Sequence, residues 1–319
     1  MQPEIIPRTD HSVSRADISE YALKVLYRLK KAGYAAYLVG GSVRDLLLRH
    51  QPKDFDVATD ATPEEVRKLF RNCRLIGRRF RLAHVHFGRD IIEVATFRAQ
   101  HREGDDDGVM TDGMILRDNV FGSLEEDAFR RDFTVNALYY NIEDFSLVDY
   151  TGGLKDLEQH RLRMIGDPEV RVQEDPVRLL RALRFAAKLG FSLDPQLEQQ
   201  FARHGERLGD VPPARLFEEV LKLFMTGQAL RTFELLLHYG LFRFLFPQTA
   251  GLLEADDGYT RRFIEAGLNN TDKRIRDDKP VTPFFLFGVL LWPPVRRQAA
   301  LLQEQGESEL QALQQAARE

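Results

Sequence analysis

Apolar residues follow two different periods along this chain, and the change of period divides it. Up to about residue 167, short β-rich runs alternate with helical stretches. Beyond about residue 168, strand-like runs disappear and apolar residues recur every three or four positions through Val177–Leu189, Leu216–Phe224 and Leu230–Leu236, the spacing of amphipathic helices. The fold expected is α+β, with a mixed sheet in the first half and helices alone in the second. In the first half, Asp17 reads as a helix cap reciprocated by Glu20, with Ile18, Val25, Leu26 and Leu29 on one face and Gly33 as the stop. Tyr34–Val39 is a strand entering the glycine turn Gly40-Gly41-Ser42, after which VRDLLL continues as a helix. Phe55 and Val57 alternate with Asp54 and Asp56 and predict a second strand. Thr62-Pro63-Glu64-Glu65 starts a helix with a threonine cap and proline at the first position. Leu75–Phe87 and Ile91–Phe97 predict two strands joined in a hairpin at Gly88-Arg89-Asp90, and the polar, non-periodic residues 99–116 a mobile surface loop.

Composition narrows the picture. At 319 residues, 43% hydrophobic and 29% charged, the chain has room for two domains with their own cores. Its longest apolar run, Phe284–Trp292, is far short of the roughly 20 residues of a membrane span, and the first residues lack the apolar centre of a signal peptide, so the cytosol is the expected compartment. The single cysteine, Cys73, can form neither an internal disulfide nor a cysteine cluster for zinc. The net charge of −4 argues against binding nucleic acid by bulk positive charge, yet Arg67–Arg89 holds eight Arg and Lys and no acid. Arg78, Arg79 and Arg81 within it are candidate contacts for a polyanion.

Three separated groups of residues carry candidate chemistry. In Gly40-Gly41-Ser42-Val43-Arg44-Asp45, glycines at a strand-to-helix turn let backbone N–H groups approach a triphosphate, and Arg44 adds a charge. Asp54 and Asp56, two apart on a strand, would project from one face roughly 6–7 Å apart, a reach suited to a pair of divalent ions. Taken alone, two such acids more often mark a solvated edge strand. A third acid is sought in Glu93, whose apolar strand IIEVATF would make a buried unpaired carboxylate costly, or in Asp132. Around Asp132, the run Asp127 to Asn136 offers Arg131 for phosphate and an Asn136 amide for a polar edge, against the plainer reading of a surface ion-pair cluster. In Glu174-Asp175-Pro176-Val177-Arg178, the acids precede a helix on which Arg178, Arg181 and Arg184 share a face. That face is a solvated basic stripe or a nucleotide contact, with Asp175 paired to Arg178.

GGSVRD with DFD, then EEDAFRRDFTVNAL, then EDPVRLLRALRFA, in that order, resemble the class II nucleotidyltransferases, the bacterial poly(A) polymerases and CCA-adding enzymes, over residues ~12–240. The resemblance implies a head related to the polymerase β nucleotidyltransferases (residues 17–167) after a flexible N-terminus (1–16). A helical neck (168–240) and body (241–319) would follow, the body expected to be truncated because polymerases of this group usually continue in basic helical sequence. It further implies that Asp54 and Asp56, with Glu93 or Asp132, bind two magnesium ions. Gly40, Gly41, Ser42 and Arg44 would hold the triphosphate, Asp127, Arg131 and Asn136 sugar and phosphate, and Asp175 and Arg178 the base of ATP. Arg78, Arg79, Arg81, Arg181 and Arg184 would face RNA, whose 3′-hydroxyl attacks the α-phosphate, with a monomer as the working state. Leu75-Ile76-Gly77-Arg78-Arg79-Phe80-Arg81-Leu82-Ala83-His84-Val85 resembles the stretch that marks the poly(A) polymerases, which favours polyadenylation over CCA addition. An RNA-binding form without catalysis and an enzyme modifying a small molecule remain rivals.

Overall fold

A computed structural model of the chain describes residues 2–77, 81–99, 110–111, 114–115, 120–255 and 258–318. Two compact units result, Met1–Gly166 and Asp167–Glu319.

The first unit is built on a sheet of eight strands. They are β1 (Glu4–Ile6), β2 (Ala36–Val39), β3 (Asp56–Thr59), β4 (Cys73–Ile76), β5 (Leu82–Phe87), β6 (Asp90–Thr96), and, after the short ribbon β7 (Met110–Thr111) and β8 (Met114–Ile115), β9 (Leu138–Asn141) and β10 (Leu147–Asp149). The order is β1-β10-β9-β2-β3-β6-β5-β4. Every pairing is antiparallel except β3 with β6. A parallel pair requires a crossover, here supplied by α3 (Pro63–Leu69) and the β4–β5 hairpin.

Alternation along the strands sorts the two faces. Leu38, Val57, Val85, Val94 and Tyr140 enter the main core with Val25, Leu26 and Leu29 of α1 (Glu20–Lys31) and Val43 of α2 (Gly41–Leu47). Their neighbours Val39, Ala58 and Tyr139 turn to the other face, where Ala128 of α4 (Leu124–Phe129) packs over them. The helix α5 (Gly153–Glu158) completes the unit. Buried Asp156 accepts hydrogen bonds from Thr134 Oγ1 at 2.7 Å, Arg161 Nη2 at 2.7 Å and Arg163 Nε at 2.8 Å, so it anchors the 3-10 turn Thr134–Asn136.

Several expectations change. The start of the chain forms β1, whose Glu4, Ile5 and Ile6 pair with Asp149, Val148 and Leu147, and is not a flexible arm. Asp17 belongs to a short 3-10 turn, and α1 is capped two residues later, by Ser19 accepting from the Tyr21 N–H. The box of Thr62 and Glu65 forms as read, with Pro63 at the first position. Leu75–Phe87 is not one strand: β4 and β5 pair with each other across the glycine at 77, which has φ +84°. Within 99–116, Met110–Thr111 pairs with Met114–Ile115, while 100–109, 112–113 and 116 lie outside the described residues.

The second unit is helical: α6 (Pro168–Glu174), α7 (Val177–Leu189), α8 (Pro195–His204), α9 (Pro213–Phe224), α10 (Ala229–His238), α11 (Phe242–Leu245), α12 (Pro247–Glu254), α13 (Tyr259–Arg276), α14 (Pro283–Glu304) and α15 (Glu309–Ala316). A two-residue extended segment, Ser192–Leu193, interrupts it. The buried faces of α7 (Leu179, Leu180, Leu183), α9 (Val220, Leu223, Phe224) and α10 (Phe233, Leu236) pack together at helical spacing. Among the described residues no helix is long and apolar enough to cross a membrane.

Gly153 is the tightest point around the Thr134–Asn136 turn: a Cβ there would lie 2.2 Å from the Thr134 carbonyl oxygen. Gly153→Ala is therefore expected to cost about 2 kcal/mol or more. Gly288→Ala, in a helix with nothing within 4 Å of the new methyl, should be neutral or stabilising. Urea unfolding followed by circular dichroism checks both, and equal midpoints for the two variants would contradict this packing.

Candidate active site

The strand register assembles a row of side chains across the second face of the sheet. Tyr139 on β9 pairs with Val39 on β2, Val39 with Asp56 on β3, Asp56 with Glu93 on β6, and Glu93 with His84 on β5. Because paired residues leave the same face, Asp56 and Glu93 stand side by side. Burial pushes the Asp56 pKa up to about 6, helped by the charges of Glu93 and Asp54 and opposed by Arg131. Glu93 is neither buried nor unpaired, as its apolar strand had suggested: its side chain is 40% exposed, and His84 Nε2 lies 3.3 Å from Oε2. Asp54 departs from expectation too. It precedes β3 and is exposed, so the two aspartates do not share a strand.

The glycine turn is held from beneath. Gly40 has φ +74°, and a Cβ on it would come 3.4 Å from Arg131 Nη1. Ser42 Oγ, buried, donates to the Val39 carbonyl at 3.0 Å. Arg44 does not project toward a ligand as expected: it is 2% exposed and donates to Asp45 Oδ1 through Nε (2.8 Å) and Nη2 (2.6 Å) and to Asn136 Oδ1 through Nη1 (2.5 Å). It acts as a strut between the first turn of α2 and Asn136, whose amide nitrogen carries two donors.

Asp127, expected to hold sugar or phosphate directly, is instead a buried hub. It accepts from Arg130 Nε (3.1 Å), Arg131 Nε (3.2 Å) and Nη2 (2.9 Å), the Tyr139 hydroxyl (2.8 Å) and the Arg98 backbone N–H (3.3 Å). Burial alone would raise its pKa, but Arg131, Arg130 and Tyr139 outweigh that and hold it below the usual carboxylate range. For Arg131 burial is likewise outweighed, by Tyr139 and Asp127, and its pKa is raised. Burial raises Tyr139 as well, keeping its hydroxyl a donor. Asp132 follows α4 in the chain, whereas the strand register sets Glu93 directly opposite Asp56.

Among the described residues no three carboxylate, imidazole or thiol groups already form a metal cage. The donor set nonetheless suits magnesium, which takes one or two carboxylates and completes its octahedron with water and phosphate oxygens. Asp56, pushed toward protonation by burial and then by the neighbouring Glu93, is the group such a cation would relieve.

In the second unit the expected Asp175–Arg178 pairing is replaced by a crossed arrangement. Arg178 Nη1 donates to Glu174 Oε2 at 2.9 Å and to the Arg171 carbonyl, while Asp175 Oδ2 accepts from Arg215 Nη2 at 2.6 Å and Oδ1 caps α7 at the Val177 N–H. Arg181 points to buried Glu219 (Nε to Oε1 3.9 Å), and Arg184 lies over the Phe185 ring at 5.0 Å. The basic stripe is thus half-buried rather than solvated. Of the other arginines, Arg81 pairs with Glu64 at 2.5 Å, and Arg78 and Arg79 lie outside the described residues. Arg215, Tyr139 and His84 escaped sequence reading. Arg215 is 40 residues from its partner, Tyr139 sits in an apolar run, and only the alternation of His84 with Ala83 and Val85 hinted at a polar face.

Two family profiles match the chain, one described as "Poly A polymerase head domain" over residues 36–163 and one as "Probable RNA and SrmB- binding site of polymerase A" over residues 190–253. Poly(A) polymerase I of Escherichia coli is 57% identical over 311 residues, 96% of this chain and 67% of that one. Poly(A) polymerase I of Haemophilus influenzae is 50% identical over 307 residues, 95% and 68%. The CCA-adding enzyme of Lactobacillus johnsonii is more distant, 37% identical over 220 residues, 69% and 54%. The chain spans about two thirds of the length of the polymerases it matches. Among solved structures, that of the Bacillus stearothermophilus CCA-adding enzyme in complex with CTP matches with a TM-score of 0.60 and 30% identity, covering 93% of this chain and 65% of that one.

The Asp56 environment has a consequence for stability. Its ordinary value is 3.8, and folding raises it to about 6. The stabilisation is full below pH 3.8 and is lost as pH rises through 6, a loss of up to about 3 kcal/mol. In metal-free protein, Asp56→Asn should therefore gain urea resistance over wild type at pH 7.5, and the gain should shrink at pH 4.5. A difference independent of pH would contradict the assignment.

Proposed function

The chain belongs to the poly(A) polymerase family of nucleotidyltransferases, and from that membership we propose that it adds AMP from ATP to RNA 3′ ends without a template. The observation that carries the choice over CCA addition is the 50–57% identity to poly(A) polymerases over nearly the whole chain, against 37% to CCA-adding enzymes over 69% of it. We place the enzyme, with its RNA and ATP, in the cytosol and expect it to work as a monomer.

The 3′-hydroxyl displaces pyrophosphate from the ATP α-phosphate in line. Asp56, Glu93 and Asp54 would hold two magnesium ions, which would supply Lewis acidity toward the attacking hydroxyl and the leaving pyrophosphate. The turn at Gly40 and Gly41 offers the triphosphate the backbone N–H groups that follow Gly40, whose own N–H is donated to the Leu138 carbonyl at 3.3 Å. Asn136, fixed by Arg44, offers its amide nitrogen to the sugar. Arg131, locked by Asp127 and Tyr139, presents a permanently charged guanidinium beneath that turn, and its rigidity limits the ordering cost at each turnover. Asp175 and Arg178, held by Arg215 and Glu174, supply the fixed polar edge that prefers adenine. The basic side chains Arg78, Arg79, Arg81, Arg181 and Arg184 meet RNA, a contact that raised salt weakens.

Purified chain with magnesium, given a short unstructured RNA or a tRNA lacking its CCA end, tests the reading. Long A tails on the generic RNA from ATP alone are expected, and Asp56→Ala should lower the rate about a thousandfold or more. Addition that stops after three nucleotides and needs CTP would overturn it.

A further inference from the structure

One side chain joins the acidic row without a part in the reaction just described. His84 is the cross-strand partner of Glu93, as Glu93 is of Asp56, so all three leave the same face of the sheet. Core residues Ala83 and Val85 on either side of it fix that orientation, because a slip of one residue would bury the imidazole and expose both apolar neighbours. His84 is 21% exposed, and its ring meets that of His86 edge-on at 6.3 Å. Its Nε2 stands 3.3 Å from Glu93 Oε2, and since a carboxylate only accepts, the imidazole N–H is the donor.

We propose that His84 is a positioning residue that fixes the Glu93 carboxylate beside Asp56 for cation binding. The inference rests on Glu93 being a metal ligand, as read above. Glu93 has three rotatable bonds and a side chain 40% exposed, and the neighbouring Asp56 repels it. With no partner, both entropy and repulsion turn the carboxylate outward to solvent. The bond from His84 occupies Oε2 and opposes that turn, leaving Oε1 to meet the cation. Hydrogen-bond partners that orient a metal ligand in this way typically contribute 10- to 100-fold to metal affinity.

The test is direct Mn2+ binding to the full chain, followed by electron paramagnetic resonance without nucleotide or RNA, for wild type, His84→Ala, His84→Gln and Glu93→Gln. We expect His84→Ala to bind Mn2+ about tenfold or more weakly and His84→Gln, which keeps an N–H donor, to recover part of the loss. In turnover, the His84→Ala defect should appear as a higher magnesium requirement, with KM for ATP at saturating magnesium unchanged. Near-UV circular dichroism identical to wild type excludes misfolding. If His84→Ala binds Mn2+ as wild type does while Glu93→Gln is weakened, the positioning role is refuted and the site reading stands. If Glu93→Gln also binds as wild type, Glu93 is not a ligand, and both fall.

Discussion

One parallel pairing in an otherwise antiparallel sheet determines the chemistry of the first unit. The crossover through α3 and the β4–β5 hairpin lets β6 run parallel to β3, and in their register Glu93 stands opposite Asp56. Burial and like charge then make Asp56 reluctant to ionise, an arrangement that costs stability and persists where a cation is to be bound.

Opposing this acidic pair is a fully satisfied cluster on the same face. Asp127 and Arg131 neutralise one another, the Tyr139 hydroxyl bridges them, and each charge has several partners, the condition under which buried charges are tolerated. The cluster supports the turn at Gly40 from below, while Arg44 and Asn136 tie the start of α2 to the Thr134–Asn136 turn. Asp127 and Arg44, which the resemblance places at the nucleotide, are engaged in holding Arg131, Tyr139, Asp45 and Asn136.

Legibility in the sequence followed range. Local signals were readable: the Gly40 turn, the Thr62–Glu65 box, the Gly88 hairpin and the helical period after residue 168 all formed. The motif aspartate Asp56 was legible because a short polar pattern announced it. What failed depended on long-range pairing. The N-terminal strand gave no sign of its partner β10, far along the chain, and Leu75–Phe87 held a reversal between β4 and β5 that its apolar pattern did not announce. Arg215 could not be linked to Asp175, nor His84 to Glu93, without knowing which elements lie side by side. Spacing also misled at Asp54, since two residues apart in sequence meant one strand only if the strand began earlier than it does.

Asp56 and Glu93 stand as an acid pair suited to completion by a divalent cation. The most direct measurement is the titration of Asp56 by carboxyl carbon-13 nuclear magnetic resonance, with and without magnesium. The account predicts a midpoint of about 6 in metal-free protein, falling well below that when magnesium binds. A midpoint near 3.8 in both conditions would contradict it.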